Sequence, residues 1–488
     1  TAGKIAEKSI VLLKNDGLLP LRKDLRSVAV IGPAADTVSY GDYTETRGRK
    51  GGVSVLDGIR AAVSPETEVL YERGCNFLGQ ALHPFDPSML RDENGEAGLT
   101  GRYYNGPVPQ GEPVQVRTDR TVNFNWIFAL PHPELDANCF SVAWTGSVIM
   151  PKTMDGCIGL STQDSMRLYV DDKLLIDGWG KDKSADQALD FHFEAGRTYK
   201  IRIEFVNDRR GARVIFGYSA GRENFPAAVE AARKADVAIL CMGDNEETSG
   251  ENFDRTDLNL PGRQLELVQA VYATGTPVVL VLQSGRPVTA NWENDHLPAI
   301  LEAWFPGEQG GTAIAKTLFG DAAPGGRLPI TFPRSVGQIP CHYSRRPGGG
   351  KRYVEMDWLP LYPFGYGLTY TTFAYRDMAL SRSVIDPQDT VTVSVTVTNT
   401  GKYTGDAVPQ LYVRDMFSSV VKPERQLAAF RRLTLAPGES RRVELTVGPK
   451  QLRTLGPDYV WRVEPGKFEL QLGDNAENIL LRADLTVE

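Results

Sequence analysis

Short apolar runs alternate with segments of helical spacing in two separate parts of the chain. The runs at 27–33, 237–240 and 278–282 are rich in Val, Ile and Leu, which is typical of parallel strands buried on both faces. Between and after these runs, apolar residues recur every three or four positions, which predicts helices. The predicted helices lie at 55–62, 227–234, 264–273 and 313–318, and a further strand lies at 68–71. This alternation predicts an α/β domain with a doubly wound sheet.

A different pattern occupies the stretch from about residue 90 to 221. Short segments in which apolar and polar residues alternate are separated there by Gly, Asp and Asn, and a period of two predicts antiparallel strands. The α/β rhythm resumes at Ala227. We therefore predict that an all-β sandwich at 90–221 is inserted into one α/β domain formed by 1–89 and 222–370, with the two ends of the insertion close together.

Strict alternation returns near the C-terminus. Val occupies every second position of Thr390-Val-Thr-Val-Ser-Val-Thr-Val397, which predicts a strand with one buried face. Related strands are predicted at 407–413, 441–447 and 467–472. The sequence therefore predicts a second β-sandwich at 371–488. The segment before it, 321–370, is rich in Pro, Gly and Arg and is predicted to be a connection that follows the surface.

The first fifteen residues have a helix-like pattern. Ile5, Ile10 and Leu13 lie among Lys and Glu, and no helix cap or signal-peptide arrangement precedes them. We therefore expect the chain to begin inside a secondary-structure element.

Composition excludes several classes of protein. The 54 Lys and Arg against 61 Asp and Glu give a net charge of −7, which argues against a dedicated nucleic-acid binder. No apolar run approaches the ~20 residues that a membrane-spanning helix needs, so no membrane association is predicted. The five cysteines lack the short paired spacing of zinc or redox motifs, and thiols without disulfide bonds are expected. They are Cys75, Cys139, Cys157, Cys241 and Cys341.

The most unusual segment for chemistry is 243–262, directly after a predicted parallel strand. Ligand sites of open α/β sheets collect at the carboxyl ends of strands. The segment contains six carboxylates and a single cation, Arg255; the carboxylates are Asp244, Glu246, Glu247, Glu251, Asp254 and Asp257. Mutual repulsion can keep one carboxyl protonated near neutral pH, as a general acid requires. The competing interpretation is a solvated acidic loop that caps the helix at Gln264.

Other candidate sites are weaker. The sequence has neither a Gly-x-Ser-x-Gly elbow nor a phosphate-binding loop, and its five histidines are isolated. Five aromatic residues of the β-rich block either form a sugar-stacking surface or belong to the core of the sandwich. They are Tyr103, Tyr104, Trp126, Trp144 and Trp179. Asp171 and Asp172 form either half of a calcium site or a hairpin turn.

Several motifs together resemble the bacterial β-glucosidase branch of glycoside hydrolase family 3. They are Glu7-Lys-Ser-Ile-Val-Leu-Leu-Lys-Asn-Asp-Gly-Leu-Leu-Pro-Leu21, Val28-Ala-Val-Ile-Gly-Pro33, Phe253-Asp-Arg255, Leu258-Asn-Leu-Pro-Gly262, Ala303-Trp-Phe-Pro-Gly-Glu-Gln-Gly-Gly311, Pro324-Gly-Gly-Arg-Leu-Pro-Ile-Thr-Phe-Pro333 and Tyr362-Pro-Phe-Gly-Tyr-Gly-Leu-Thr-Tyr370. The resemblance covers essentially the whole chain. It implies that 90–221 is a protective-antigen-like domain and that 371–488 is a fibronectin type III-like domain.

The resemblance also implies a retaining mechanism without cofactor or metal, with a carboxylate nucleophile and an acid/base carboxyl about 5 to 5.5 Å apart. The family's acid/base Glu precedes Phe-Asp-Arg, which assigns the role to Glu251. This chain has Gly-Glu-Asn where the family more often has Ser-Glu-Gly, so Glu247 is a second candidate. Asp254 and Arg255 are expected to brace the loop with an ion pair.

One family element is missing from the sequence. The nucleophile Asp of the family lies on a (β/α)8 barrel that normally precedes this region, and the 488 residues contain no such barrel pattern. Met356-Asp357-Trp358 resembles the nucleophile motif only superficially, because it follows no barrel strand. The resemblance therefore implies that the chain supplies the acid/base half of the site and needs a barrel chain or fragment as its partner.

The resemblance leaves three functions open. The first is hydrolysis of terminal non-reducing β-D-glucosyl residues in β-glucosides or oligosaccharides. The second is exo β-xylosidase or N-acetylhexosaminidase activity, and the third is a non-catalytic carbohydrate-binding module. A homodimer of the full assembly is compatible with all three, and the sequence does not indicate a cellular location.

Overall fold

The computed structural model describes the chain except for a few short segments. These are residues 42, 45–50, 78–81, 127–129, 163, 181–186, 208–212, 220–224, 246–247, 252 and 349–351. The described residues fall into two units. The first comprises Thr1–Arg73, Glu230–Leu260 and Val271–Glu488, and the second comprises Gly74–Val229 and Pro261–Ala270.

The α/β part of the chain consists of two groups of elements. The first group is α1 (Ala2–Ser9), β1 (Val11–Asn15), β2 (Ser27–Ile31), α2 (Val55–Ala62) and β3 (Glu68–Glu72). Strands β4 to β15 come next along the chain and lie in the second unit. The second group is α3 (Pro226–Lys234), β16 (Val237–Gly243), α4 (Gln264–Tyr272), β17 (Val278–Gln283), α5 (Asn291–His296), β18 (Ala299–Glu302) and α6 (Gly310–Leu318).

Six strands of the first unit form a mixed sheet in the order β1-β18-β17-β16-β2-β3. Strand β1 is antiparallel to β18, whereas the other neighbouring pairs are parallel. Every residue of β2, β16, β17 and β18 is buried, as expected for central parallel strands with helices on both faces. The structure therefore confirms the predicted α/β sheet.

The N-terminal pattern was predicted as helical throughout and is only partly so. Helix α1 ends at Ser9, and Val11, Leu12 and Leu13 lie in β1, buried against β18. An apolar run buried on both faces carries no helical periodicity, so the change of element was not visible in the sequence. Helix α5 and strand β18 were missed because both are short.

Strands β4 to β15 form two further antiparallel sheets. The strands are β4 (His83–Pro84), β5 (Leu90–Arg91), β6 (Leu99–Asn105), β7 (Gln115–Asp119), β8 (Asn123–Asn125), β9 (Phe140–Ile149), β10 (Met154–Thr162), β11 (Ser165–Val170), β12 (Lys173–Asp177), β13 (Gln187–Phe193), β14 (Thr198–Asn207) and β15 (Arg213–Ser219), with a 3₁₀ turn at Pro87–Met89. One sheet has the order β13-β10-β15-β4, and the other has the order β12-β11-β14-β9-β6-β7. Both contribute to one core. The identity of this region as an inserted protective-antigen-like domain stays a prediction.

The aromatic residues of this region belong mainly to its core. Tyr103 and Trp144 are fully buried, and the Trp126 ring stacks on that of Trp144 with ring centroids 6.3 Å apart. They therefore do not form an exposed sugar-stacking surface. Asp171 and Asp172 lie in the turn between β11 and β12 with positive φ angles, which agrees with a hairpin turn.

The C-terminal region is a β-sandwich. Its elements are β19 (Phe373–Leu380), β20 (Val384–Ile385), β21 (Val391–Asn399), β22 (Gly405–Ala407), β23 (Gln410–Asp415), β24 (Gln426–Phe430), β25 (Leu433–Leu435), β26 (Ser440–Val447), α7 (Pro449–Leu452), β27 (Thr454–Leu455), β28 (Trp461–Arg462), β29 (Gly466–Gly473) and β30 (Ile479–Val487). The main sheets have the orders β19-β21-β26 and β20-β30-β29-β23-β24. Val391, Val393, Val395 and Val397 are fully buried, as the alternation predicted.

The described residues between α6 and β19 form a 3₁₀ turn at Val336–Gln338, β-bridges of Phe332 with Tyr362 and of Leu368 with Leu12, and otherwise irregular structure. All five cysteines are described, and no disulfide bond joins any two of them. Across the described ranges, no helix has the length and apolar character needed to cross a membrane.

Asp406 attaches the C-terminal sandwich to the α/β sheet region. Its carboxylate accepts hydrogen bonds from Lys8 Nζ at 2.5 Å, Arg432 Nη1 at 2.9 Å and Thr434 Oγ1 at 2.6 Å, and its side chain is 3% exposed. Burial alone would raise the pKa of Asp406. The hydrogen bonds from Lys8, Thr434 and Arg432 outweigh burial and hold that pKa below its usual range. The ionised carboxylate is therefore the form on which this junction depends.

A second carboxyl group, Glu302, is fully buried at the end of β18. Glu302 Oε1 accepts the Trp304 backbone N–H at 2.7 Å, and Oε2 lies 3.1 Å from Ser284 Oγ. Burial, with a smaller contribution from the charge of Asp244, raises the pKa of Glu302 to about 8. Glu302 is therefore protonated in the folded protein at neutral pH.

Replacing Asp406 with Asn should weaken the junction between the sandwich and the α/β region. We expect D406N to lower stability by about 1 to 3 kcal/mol, because Lys8 and Arg432 lose their common counter-charge. The apparent melting temperature of the two proteins measures this. The matched control is D458N in the same sandwich, which removes the exposed pair with Arg462 and should change stability much less than D406N does, because exposed ion pairs contribute little. Equal effects of the two substitutions would contradict the role of Asp406.

Glu302 should make stability fall as pH rises. The folded protein retains a proton up to pH 8 that the unfolded carboxyl releases near pH 4.5, so stability declines over this window by at most about 1.4 kcal/mol per pH unit. Glu302→Gln keeps the shape and removes this titration. The melting temperature of E302Q relative to the original protein should therefore rise from about pH 5 to about pH 8. The exposed Glu66→Gln is the control, and a pH-independent difference for E302Q would refute the prediction.

Candidate active site

Three neighbouring parallel strands place polar residues side by side at their carboxyl ends. Asp244 follows β16, Ser284 follows β17, and Glu302 ends β18; all three are buried. The strands approach closely here, since a Cβ added at Gly243 would lie 1.9 Å from the Gln283 carbonyl oxygen. The close approach places these groups beneath the loop that follows β16, at the position where α/β sheets bind ligands.

Glu251 lies in that loop with its side chain exposed. The Tyr43 hydroxyl donates a hydrogen bond to Glu251 Oε2. This hydrogen bond is the main cause that raises the pKa of the Tyr43 hydroxyl above its usual value, with smaller contributions from desolvation and the Glu251 charge. A carboxyl group at the surface can reach a substrate, and Tyr43 supplies a hydrogen-bond donor to it.

Tyr43 was not predicted from the sequence. It follows β2 in an irregular segment, its side chain is 77% exposed, and its φ is +52°. A lone Tyr in a loop carries no spacing signal. Because β2 and β16 are parallel, their carboxyl ends lie at the same sheet edge, and a residue after β2 can therefore reach the loop after β16.

The second candidate, Glu247, lies outside the described residues. The structure therefore does not bear on the choice between Glu247 and Glu251.

Arg255 braces the loop, but through different partners than expected. Its Nη1 lies 3.2 Å from Asp244 Oδ1, and its Nη2 lies 3.3 Å from Asp257 Oδ1 and 2.6 Å from the Asn259 carbonyl oxygen. Asp254 is exposed, and none of the ion pairs among the described residues joins it to Arg255. The reason is physical: a buried carboxylate such as Asp244 requires a counter-charge, whereas an exposed one is stabilised by water.

Arg286 is a second arginine at the site, and the sequence analysis missed it. It follows β17, and its Nη2 donates to the carbonyl oxygens of Thr248 at 3.2 Å and Phe253 at 3.1 Å. Its Nε lies 3.9 Å from Asp244 Oδ2. A cation directly after a buried strand was the available signal, because such a residue points into the same sheet edge as the acidic segment.

Asp244 lies between the two guanidinium groups and is 1% exposed. Burial raises the pKa of its carboxyl, and the charges of Arg255 and Arg286 offset only part of that effect. Thr248 Oγ1 also donates to Asp244 Oδ1 at 3.1 Å. The Asp244 carboxylate therefore connects the loop and both arginines to the end of the sheet.

The remaining candidate, Asp357, is exposed, and its Oδ1 accepts the Leu359 backbone N–H at 3.0 Å in a turn. This contact is that of a turn-forming Asp. No group of three His, Cys, Asp or Glu residues in the described part of the chain is arranged to hold a metal ion. The described site presents an exposed carboxyl group with a hydrogen-bond donor beside it.

Comparison with known proteins identifies the chain's relatives. The family model of the glycosyl hydrolase family 3 C-terminal domain matches residues 10–370, and that of the fibronectin type III-like domain matches 407–476. A protein named β-glucosidase from Rhizobium radiobacter is 34% identical over 520 residues, covering 99% of this chain and 62% of the relative. A protein named β-xylosidase from Formosa agariphila is 45% identical over 302 residues, covering 59% of this chain and 42% of the relative.

Among solved structures, the β-glucosidase from Kluyveromyces marxianus in complex with glucose matches with a TM-score of 0.73 and 28% identity. The match covers 100% of this chain and 62% of that one. The chain thus spans less than two thirds of the length of these relatives. The family model matches most of the residues of this chain, and the 34% identical relative aligns with 99% of it. The chain therefore belongs to glycosyl hydrolase family 3.

Proposed function

We propose that this chain supplies the general acid/base half of a retaining β-glucosidase that hydrolyses terminal non-reducing β-D-glucosyl residues. The observation that carries the proposal is Glu251: an exposed carboxyl, hydrogen-bonded by Tyr43, on a loop held over the ends of the central strands. The β-glucosidase name of a relative aligned over 99% of the chain supports the substrate class.

In this proposal the nucleophile comes from outside the chain. The match covers 62% of the length of these relatives, so more than a third of each lies outside it. We assign the nucleophile Asp to a (β/α)8 barrel in that part or on a partner chain. The nucleophile attacks the anomeric carbon while Glu251 gives its proton to the leaving oxygen. Glu251, now a carboxylate that accepts from Tyr43, then takes a proton from the water that cleaves the glycosyl-enzyme.

β-Xylosidase activity is the second candidate. The Formosa agariphila relative with that name has the higher identity, 45%, although over only 59% of the chain. The acid/base step is the same for both sugars, so the distinction rests on the contacts to the sugar. Kinetics of the complete protein on aryl β-glucosides and aryl β-xylosides separates the two candidates.

The predicted domain limits form part of the same proposal. We assign 1–89 and 222–370 to the α/β sandwich domain, 90–221 to an inserted protective-antigen-like domain and 371–488 to the fibronectin type III-like domain. Strands β3 and β16 belong to the same sheet, and β4 to β15, which come between them in the sequence, lie in the second unit. This order along the chain supports the insertion.

Replacing Glu251 with Gln should abolish proton donation while keeping the shape of the side chain. In the complete protein, we expect E251Q to lower kcat/KM by about 10²- to 10⁴-fold on glucosides with poor leaving groups. The loss should be much smaller on activated aryl glucosides, whose leaving groups need little protonation. The exposed helix residue Glu230→Gln is the matched control. Equal losses on both substrate types would remove Glu251 from the acid/base role and direct attention to Glu247.

Tyr43→Phe tests the hydrogen bond to Glu251. Loss of a donor to an exposed carboxylate should lower kcat/KM by about 3- to 10-fold. In an E251Q background the same substitution should have little further effect, because the charged acceptor is already gone. Steady-state kinetics of the two single variants and the double variant measures this coupling, and fully additive losses would show that Tyr43 acts independently of Glu251.

A further inference from the structure

Beneath the loop lies a group of buried polar residues that the proton-transfer steps do not use. Asp244, Ser284 and Glu302 are buried at the carboxyl ends of central strands, and Arg286, which follows β17, is only partly buried beside them. Desolvating this many polar groups costs free energy unless they are paired. Asp244 pairs with Thr248 and Arg255 of the loop and lies near Arg286, and Ser284 donates to the Arg286 carbonyl oxygen.

Arg286 contacts the loop on both sides of Glu251. One nitrogen, Nη2, donates to the carbonyl oxygen of Thr248 and to that of Phe253. These residues lie three positions before and two positions after Glu251. A single NH₂ group therefore joins the two ends of the short segment that carries the proposed acid/base residue.

The planar guanidinium makes this contact possible. While Nη2 bonds the two carbonyl groups, Nε on another side of the same plane faces Asp244 Oδ2 at 3.9 Å. Asp244 in turn accepts from Arg255 at 3.2 Å, at the far end of the loop. A Lys ammonium is a compact charge at the end of a flexible chain and cannot reach the carboxylate and both carbonyl groups in fixed directions.

The backbone of Arg286 is fixed as well. Ser284 Oγ donates to the Arg286 carbonyl oxygen at 2.8 Å and lies 3.1 Å from Glu302 Oε2. The Ser284 hydroxyl therefore links the Glu302 carboxyl group to the Arg286 backbone carbonyl group. The chain of hydrogen bonds runs from the end of β18 through Ser284 to Arg286.

We propose that Arg286 is a positioning residue that holds the 248–253 segment, and with it Glu251, in the geometry needed for proton transfer. The proposal rests on the proposed function, because it takes Glu251 as the acid/base residue. Arg286 acts on the reaction through backbone carbonyl groups and through Asp244, and it touches the loop rather than the substrate.

The test compares Arg286→Lys with the original protein, in the complete protein that contains this chain. Hydrogen–deuterium exchange reports the loop directly, and the amides to follow are those of Ser249 and Phe253, which bond to carbonyl groups within the loop. We expect their exchange to accelerate at least about tenfold in R286K, with the exchange of β16 and β17 unchanged. The control is Arg26→Lys, which alters an exposed arginine paired with Asp236 at the opposite end of β16.

Kinetics supplies the second readout. R286K should lower kcat about tenfold or more on glucosides with poor leaving groups and less on activated ones, with KM nearly constant, because misplacing a proton donor affects the transition state. If loop exchange is unchanged, or if both substrate types lose equally, the proposal is overturned. If R286K fails to fold, Asp244→Asn provides the same two readouts, since it releases the Arg286 guanidinium while keeping the side-chain shape.

Failure of the proposed function would be visible separately. In that case the leaving-group dependence would be missing from E251Q itself, whatever R286K does. A leaving-group effect in E251Q without one in R286K would instead leave the acid/base assignment in place and refute only the positioning role.

Discussion

The burial of one carboxylate, Asp244, organises the candidate site. Its side chain is 1% exposed at the end of a strand buried on both faces, where an unpaired charge is unfavourable by several kcal/mol. Arg255 and Arg286 approach it from two sides, and Thr248 donates to it directly. Because these partners lie in the loop or bond to it, the requirement to pair Asp244 also fixes the loop that carries Glu251.

The same constraint explains why buried carboxyl groups in different parts of this protein differ in protonation state. Glu302 is buried without a cation and stays protonated, so it can act as a hydrogen-bond donor. Asp406, equally buried, has Lys8 and Arg432 beside it and stays ionised. Glu251 is exposed, so its carboxyl group is accessible from solvent. Local surroundings rather than residue type therefore assign a structural or a chemical role to each carboxyl group.

The sequence predicted the elements that depend on local pattern. Strands β16, β17 and β21 and helix α2 were found within a few residues, because burial on both faces, alternation and helical spacing each leave a direct signature. Strand β18 has only four residues and was missed, and with it Glu302. Family motifs led to Glu251, but the partners of Arg255 and the roles of Tyr43 and Arg286 depend on which loops meet at the sheet edge. That information is tertiary, and no spacing in a single sequence encodes it.

In the proposed enzyme, the sheet positions the acid/base residue and another domain binds the sugar. A general acid needs a fixed direction towards the leaving oxygen, because a displacement of about 1 Å can cost 10²-fold in rate. A loop is a poor source of such precision unless a rigid element restrains it. Here the restraint comes from the ends of β16, β17 and β18, three strands in which every residue is buried. Under the proposed function, the sheet positions a proton donor for a sugar that another domain binds, and the contacts that select the sugar vary independently of it.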